Sequence, residues 1–229
     1  MARLSQMIPG FAAALQVPEK SVKNAAVVLR GARLLTTGPR GRGAPHMTPK
    51  DATNLLLALM YDDDHEAAAT NVPLLYDMPL TSYGSQLSDG TPAKRGKRCP
   101  DGKITPPPHA ILSDDETSRS LGAVIEAIFT RLMRSPRLHG TGELSHGVES
   151  TIIDHLLLQI SRPGHEARIV IDSPGVTWTL AYVRQNDTSY DPAATFLRSS
   201  RDLDVEELRA LATVLTQGLD AAVEMTLAA

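Results

Sequence analysis

The stretch VPEKSVKNAAVVLRGARLL, residues 17–35, sets Val22, Ala25, Ala26 and Leu29 at i, i+3, i+4 and i+7. That spacing makes one apolar stripe along an α-helix, and a chain carrying such a stripe must bury it against another element. Upstream, FAAALQ repeats Phe11, Ala14 and Leu15 at helical spacing, which supplies the partner. Pro9-Gly10 is expected to break a shorter helix over MARLSQMI at a tight corner, and Pro18 stands at or just before the first turn of the striped helix. Lys20, Ser21, Lys23 and Asn24 fall off the stripe near its N-terminus. There the free backbone amides and the helix dipole also favour an anion.

The segment that follows, LLTTGPRGRGAPHMTP at residues 34–49, places two short strand-compatible runs on either side of a loop with three glycines, Arg40 and Arg42. A loop tip has no core to stabilise, so guanidinium groups held there either solubilise the chain or contact something anionic. Charge distribution favours the second use. Residues 1–60 carry eight basic side chains against Glu19 and Asp51, a surplus of +6, so the rest of the chain holds −9 of the overall −3. A basic block on an otherwise acidic protein suits a local anion site, and nucleic acid is the commonest polyanion such a block meets. An ordinary solvated charge surplus is the simpler alternative.

With its order of helix, turn, basic helix and Arg-Gly loop, FAAALQVPEKSVKNAAVVLRGARLLTTGPRGRGAPHMT resembles the winged helix-turn-helix domain of bacterial and phage DNA-binding proteins. The resemblance covers about residues 2–60. It implies a recognition helix over Pro18–Arg30 that carries Lys20, Ser21, Lys23 and Asn24 toward a major groove, with Arg30 and Arg33 nearby. It also implies a two-stranded wing over Leu34–Thr37 and Ala44–Met47, whose tip Gly38–Gly43 brings Arg40 and Arg42 to the backbone or the minor groove. One departure is visible: the family commonly has Gly just before the first wing strand, where this chain has Arg33 and places its glycine at Gly31. Thr48 is positioned to cap a further helix, with Pro49 at its first position and Asp51 in its first turn. DATNLLLALM then predicts an apolar helix that closes the module or pairs with a second subunit.

Beyond residue 60 the helical pattern decays. The acidic run in YDDDHEAAATNV lacks the alternating ligands and glycine of a calcium loop. TSYGSQLSDGTPAKRGKRCPDGKITPPPH is rich in Gly, Pro and Ser, so residues 61–112 are expected to form a linker or irregular surface segment, with KRGKR at 94–98 as a candidate second phosphate contact. From 113 onward the expectation is an α+β unit: Ser113 caps a helix with Leu121, Val124, Ile125, Ile128, Phe129 and Leu132 on one face, and VESTIIDHLLLQIS is read as a second helix. ARIVID and VTWTLAYVR form a hairpin, ATFLRSS a third strand, and DVEELRALATVLTQGLDAAVEM a terminal helix. The alternating Trp178 and Tyr182 are read as a packed strand face rather than a ligand cage.

Catalytic and metal signatures are not found. His139, His146, His155 and His165 fit no zinc spacing, Cys99 is the lone cysteine, and neither a phosphate-binding loop nor a nucleophile elbow occurs. No cofactor is therefore expected. The opening residues lack a charged region followed by a long apolar run, which predicts a cytoplasmic protein without membrane contact. Arg outnumbers Lys by 17 to 6, a bias usual in GC-rich bacterial or phage genomes. The fold expectation is α+β, divided into a winged helix at 1–60, a linker at 61–112 and a dimerisation or partner domain at 113–229. The functional expectation is a sequence-specific transcriptional regulator that binds double-stranded DNA as a homodimer, with the acidic C-terminal part free for a protein partner. Two alternatives stay open: a DNA-recognition protein of packaging (small terminase-like), partition or replication machinery, and a winged helix that binds protein instead of DNA.

Overall fold

In the computed structural model, residues 2–39, 44–61, 65–87, 92–96, 120–134, 155–161, 166–173, 176–183 and 200–217 are described. Helix α1 spans Leu4–Ala14 without interruption and buries Met7, Gly10, Phe11 and Ala14. The expected break at Pro9-Gly10 does not occur. Pro9 forgoes one hydrogen bond, to the carbonyl of Ser5, and Ser5 is exposed, so water can take that acceptor. Gly10 serves packing: a Cβ there would lie 2.5 Å from both methyl carbons of Val214.

Helix α2, Glu19–Gly31, buries Val22, Ala25, Ala26 and Leu29 as its stripe requires. Both helices end in the same way. After α1, Val17 N–H donates to the Ala12 carbonyl and Gln16 N–H to that of Ala13, with Gln16 at φ 50°. After α2, Leu34 N–H donates to the Leu29 carbonyl and Arg33 N–H to that of Arg30, with Arg33 at φ 61°. These paired bonds close a Schellman motif, whose left-handed position is ordinarily glycine. The displacement of glycine to Gly31 therefore leaves Arg33 in the strained conformation.

Helix α3, Pro49–Tyr61, starts on the expected cap: Asp51 N–H donates to Thr48 Oγ1 at 3.2 Å, and Thr48 N–H to Asp51 Oδ2 at 2.7 Å. Every residue from Asp51 to Met60 is buried. A helix covered all round is a core element, so α3 closes the N-terminal helices without offering a face to a second subunit. A 3₁₀ turn at His65–Ala67 and helix α4, Ala68–Tyr76, follow.

Within 61–112, expected as a linker or irregular segment, the described residues form regular elements. Besides α4, strands β1 (Leu80–Leu87) and β2 (Pro92–Gly96) pair antiparallel there. Their polar, glycine-bearing sequence is that of an edge hairpin, which needs few apolar side chains. Pro92 begins the outermost strand, and Lys94 and Arg95 lie within it; proline and cations are both common on sheet edges. Lys97 and Arg98 lie outside the described residues.

Helix α5, Leu121–Arg134, follows the expected face; Ser113 lies outside the described residues. Of the next expected helix, 148–161, residues 148–154 lie outside the described set and His155–Ser161 is corrected to strand β3. A short apolar run such as HLLLQIS carries too little periodicity to separate strand from buried helix, and in the sheet Leu158 and Ile160 turn inward. Strands β4 (Glu166–Ser173) and β5 (Val176–Val183) form the expected hairpin, with Ile169 opposite Leu180 and Ile171 opposite Trp178. Strand β6 is Ser200–Leu203, which begins at the last residue of the expected ATFLRSS; residues 194–199 of that stretch are outside the described set. Helix α6, Val205–Gln217, opens with reciprocal bonds between Asp204 and Glu207, each 2.9 Å. The six strands run in the order β2-β1-β5-β4-β3-β6, every neighbour antiparallel.

The fold is α+β, with helices covering one sheet face. Leu158, Ile160, Ile169, Ile171, Leu180 and Leu203 on that face share one core with α3, α5 and α6. Tyr182 is fully buried there, and burial pushes its phenol pKa up; its hydroxyl has no partner among the described residues. The three-part division at 1–60, 61–112 and 113–229 is not reflected in the packing. Ala2 N–H donates to the Leu215 carbonyl at 2.8 Å, Leu121 N–H to that of Met78 at 2.9 Å, and α1 packs on α6.

Candidate nucleic-acid interface

The stripe that buries one side of α2 leaves the other side to solvent. Lys20, Lys23, Asn24 and Arg30 are exposed and Ser21 is half-buried. Arg33 is exposed at the motif that ends the helix. Lys20, Lys23, Arg30 and Arg33 make no ion pair among the described residues. Lys50, also basic and exposed, lies 5.3 Å from the centre of the Tyr76 ring and is engaged within the fold.

The arginine loop begins and ends on α3. The buried Asp51 carboxylate accepts from Thr36 N–H (2.6 Å) and Thr36 Oγ1 (2.9 Å) on one side of the loop. On the other side it accepts from Thr48 N–H (2.7 Å) and Thr48 Oγ1 (2.8 Å). Asn54 Nδ2 donates to the Leu34 carbonyl at 2.7 Å. Hydrogen bonds to a buried carboxylate are among the stronger ones a fold contains, because a lost partner leaves charge without solvation. Further out, Gly38 faces Pro45, whose Cδ would lie 3.0 Å from a Cβ at position 38. Asp51 and this close approach thus hold the two ends of the Pro39–Ala44 segment together.

The expected two-stranded wing is corrected here. No ladder joins Leu34–Thr37 to Ala44–Met47 among the described residues. Asp51 takes the Thr36 amide that a ladder would use, and Pro45 has no N–H to give. The returning segment pairs instead with the start of the chain, through an Arg3–His46 bridge and a bond from Met47 N–H to the Ala2 carbonyl. Arg40 and Arg42 lie outside the described residues.

Between these parts runs a groove of about 700 Å³, lined by Arg3 and Ser5 from the start of α1, Arg30 from α2, and Thr37, Gly38 and Pro45 from the loop. Arg30 connects the exposed face of α2 to this groove. Arg3 and the loop threonines were not among the residues expected at the site from sequence, because the Arg3–His46 bridge joins positions far apart in the chain. The combined surface offers guanidinium and ammonium groups, hydroxyls and a carboxamide, the donors that contact phosphates and base edges.

Among the described residues no group of three or more His, Cys, Asp or Glu could hold a metal ion, and no helix is long and apolar enough to cross a membrane. No family model, curated protein or solved structure matches the chain.

Proposed function

We propose that the chain is a sequence-specific DNA-binding protein, a bacterial or phage transcriptional regulator, that presents α2 to the major groove. The observation that carries this reading is the solvent face of α2: cations with no ion pair among the described residues flank a carboxamide, and the face continues through Arg30 into the groove beside the arginine loop. In this arrangement Asn24 pairs with an adenine edge, while Lys20, Lys23, Arg30, Arg33, Arg40 and Arg42 neutralise phosphates or reach guanine. Two copies on half-sites about one helical turn apart give the specificity that one helix lacks. The apolar faces of α5 and α6 are buried within the subunit, so a dimer contact uses another surface.

Selection of duplexes from a random pool, followed by titration of variants, tests the reading. Asn24→Ala should lose about 1–3 kcal/mol on the selected site and relax preference at one position. Arg42→Ala should weaken all sequences alike and reduce the salt slope by roughly one unit. No enrichment of any duplex overturns the DNA reading and favours a protein-binding role for the same face. Occupancy at promoters in the cell supports regulation, whereas occupancy confined to a packaging, partition or origin site replaces it with that role.

A further inference from the structure

Val27 stands out on α2. It is 63% exposed, more so than Leu74, the other exposed large hydrophobic side chain among the described residues. It lies on the far side of the helix from Val22, Ala25, Ala26 and Leu29, one turn beyond Lys23 and Asn24 and one turn before Arg30 and Gly31. Folding gives no reason for it. A β-branched residue is a poorer helix former than Ala, Lys or Gln, and at this exposure it buries little apolar surface in return. An apolar side chain kept in the middle of a cationic face fits a ligand that is anionic around its edge and locally apolar where Val27 meets it.

The major groove of DNA has that composition. Phosphates line its rims, and on its floor the one apolar group among the base edges is the thymine C5-methyl. We infer that Val27 reads a thymine methyl and so helps set sequence preference. The inference rests on the DNA-binding reading above. Along the helix, Asn24 and Val27 are separated by about 4.5 Å of rise, close to the roughly 3.4 Å step between bases. The thymine therefore belongs to the base pair next to the adenine bound by Asn24. Lys20, Lys23 and Arg30 around the valine supply the charge that seats the helix.

The test replaces each thymine of the selected duplex in turn by deoxyuridine, which lacks only the C5-methyl. Wild-type protein should lose about fourfold in affinity at one position, the amount expected when one apolar carbon is no longer buried. That position should adjoin the one relaxed by Asn24→Ala. Val27→Ala should bind the thymine and deoxyuridine duplexes equally at that position, and its thermal stability should not fall, because the site is exposed. Equal wild-type affinity for thymine and deoxyuridine everywhere overturns the inference while leaving the DNA reading intact. So does a Val27→Ala protein that keeps the wild-type discrimination. If no duplex is enriched in the first place, the DNA reading fails and takes this inference with it.

Discussion

In Arg33 a single backbone angle bears on stability and, under the proposed function, on binding. Its φ of 61° places a long charged side chain where the Schellman motif favours glycine. The left-handed conformation costs a non-glycine residue about 1–2 kcal/mol. Arg33→Gly should remove that cost, and the greater freedom of glycine in the unfolded chain offsets part of the gain. The expected result is a stability increase of up to about 1 kcal/mol in urea unfolding, together with weaker DNA binding and a shallower salt dependence. Increased stability with unchanged affinity would show that Arg33 has no part in the interface. The Gly31–Arg33 displacement was visible in sequence, but the direction of the strain required the hydrogen bonds from Arg33 and Leu34 to the carbonyls of Arg30 and Leu29.

Among the elements, α1 packs on α6 with Gly10 against Val214. A Cβ at position 10 would overlap the valine methyls at 2.5 Å, far inside contact distance. Gly10→Ala should destabilise the protein by about 1–3 kcal/mol through overpacking, even though alanine is the better helix former. Adding Val214→Ala should recover much of that loss, and a double-mutant cycle measures the coupling. Strictly additive effects would place the conflict elsewhere. Pro-Gly looked like a helix break because both residues carry helix-ending preferences. Helices α2 and α6 pack on α1, and burial of Met7 and Phe11 outweighs those preferences.

For the whole molecule, the consequence of a shared core is cooperative unfolding. Helix α3 is buried along its length and contacts α2, α4, α5, α6 and β3, so the N-terminal helices cannot detach without exposing it. Fluorescence of Trp178, the only tryptophan, reports the sheet through β5, while far-UV circular dichroism weights the helices. Their urea transitions should superimpose. A helical signal lost before the tryptophan signal would restore the division into separable parts.

Periodicity alone determined α2, the α5 face, the β4–β5 hairpin and the capped start of α3, because each is long or strongly patterned and bounded by its own local signal. The same local pattern exposed Lys20, Lys23, Asn24 and Arg30 by fixing which side of α2 is buried. Three features required the tertiary structure. Strand β3 needed neighbours to pair with, since His155–Ser161 is too short and apolar to declare a period. The β1–β2 hairpin needed a sheet edge, where polar residues and Pro92 are tolerated. The groove of Arg3, Arg30 and the arginine loop needed the Asp51 and Asn54 bonds to draw distant segments together, a convergence to which no local stretch of sequence is bound.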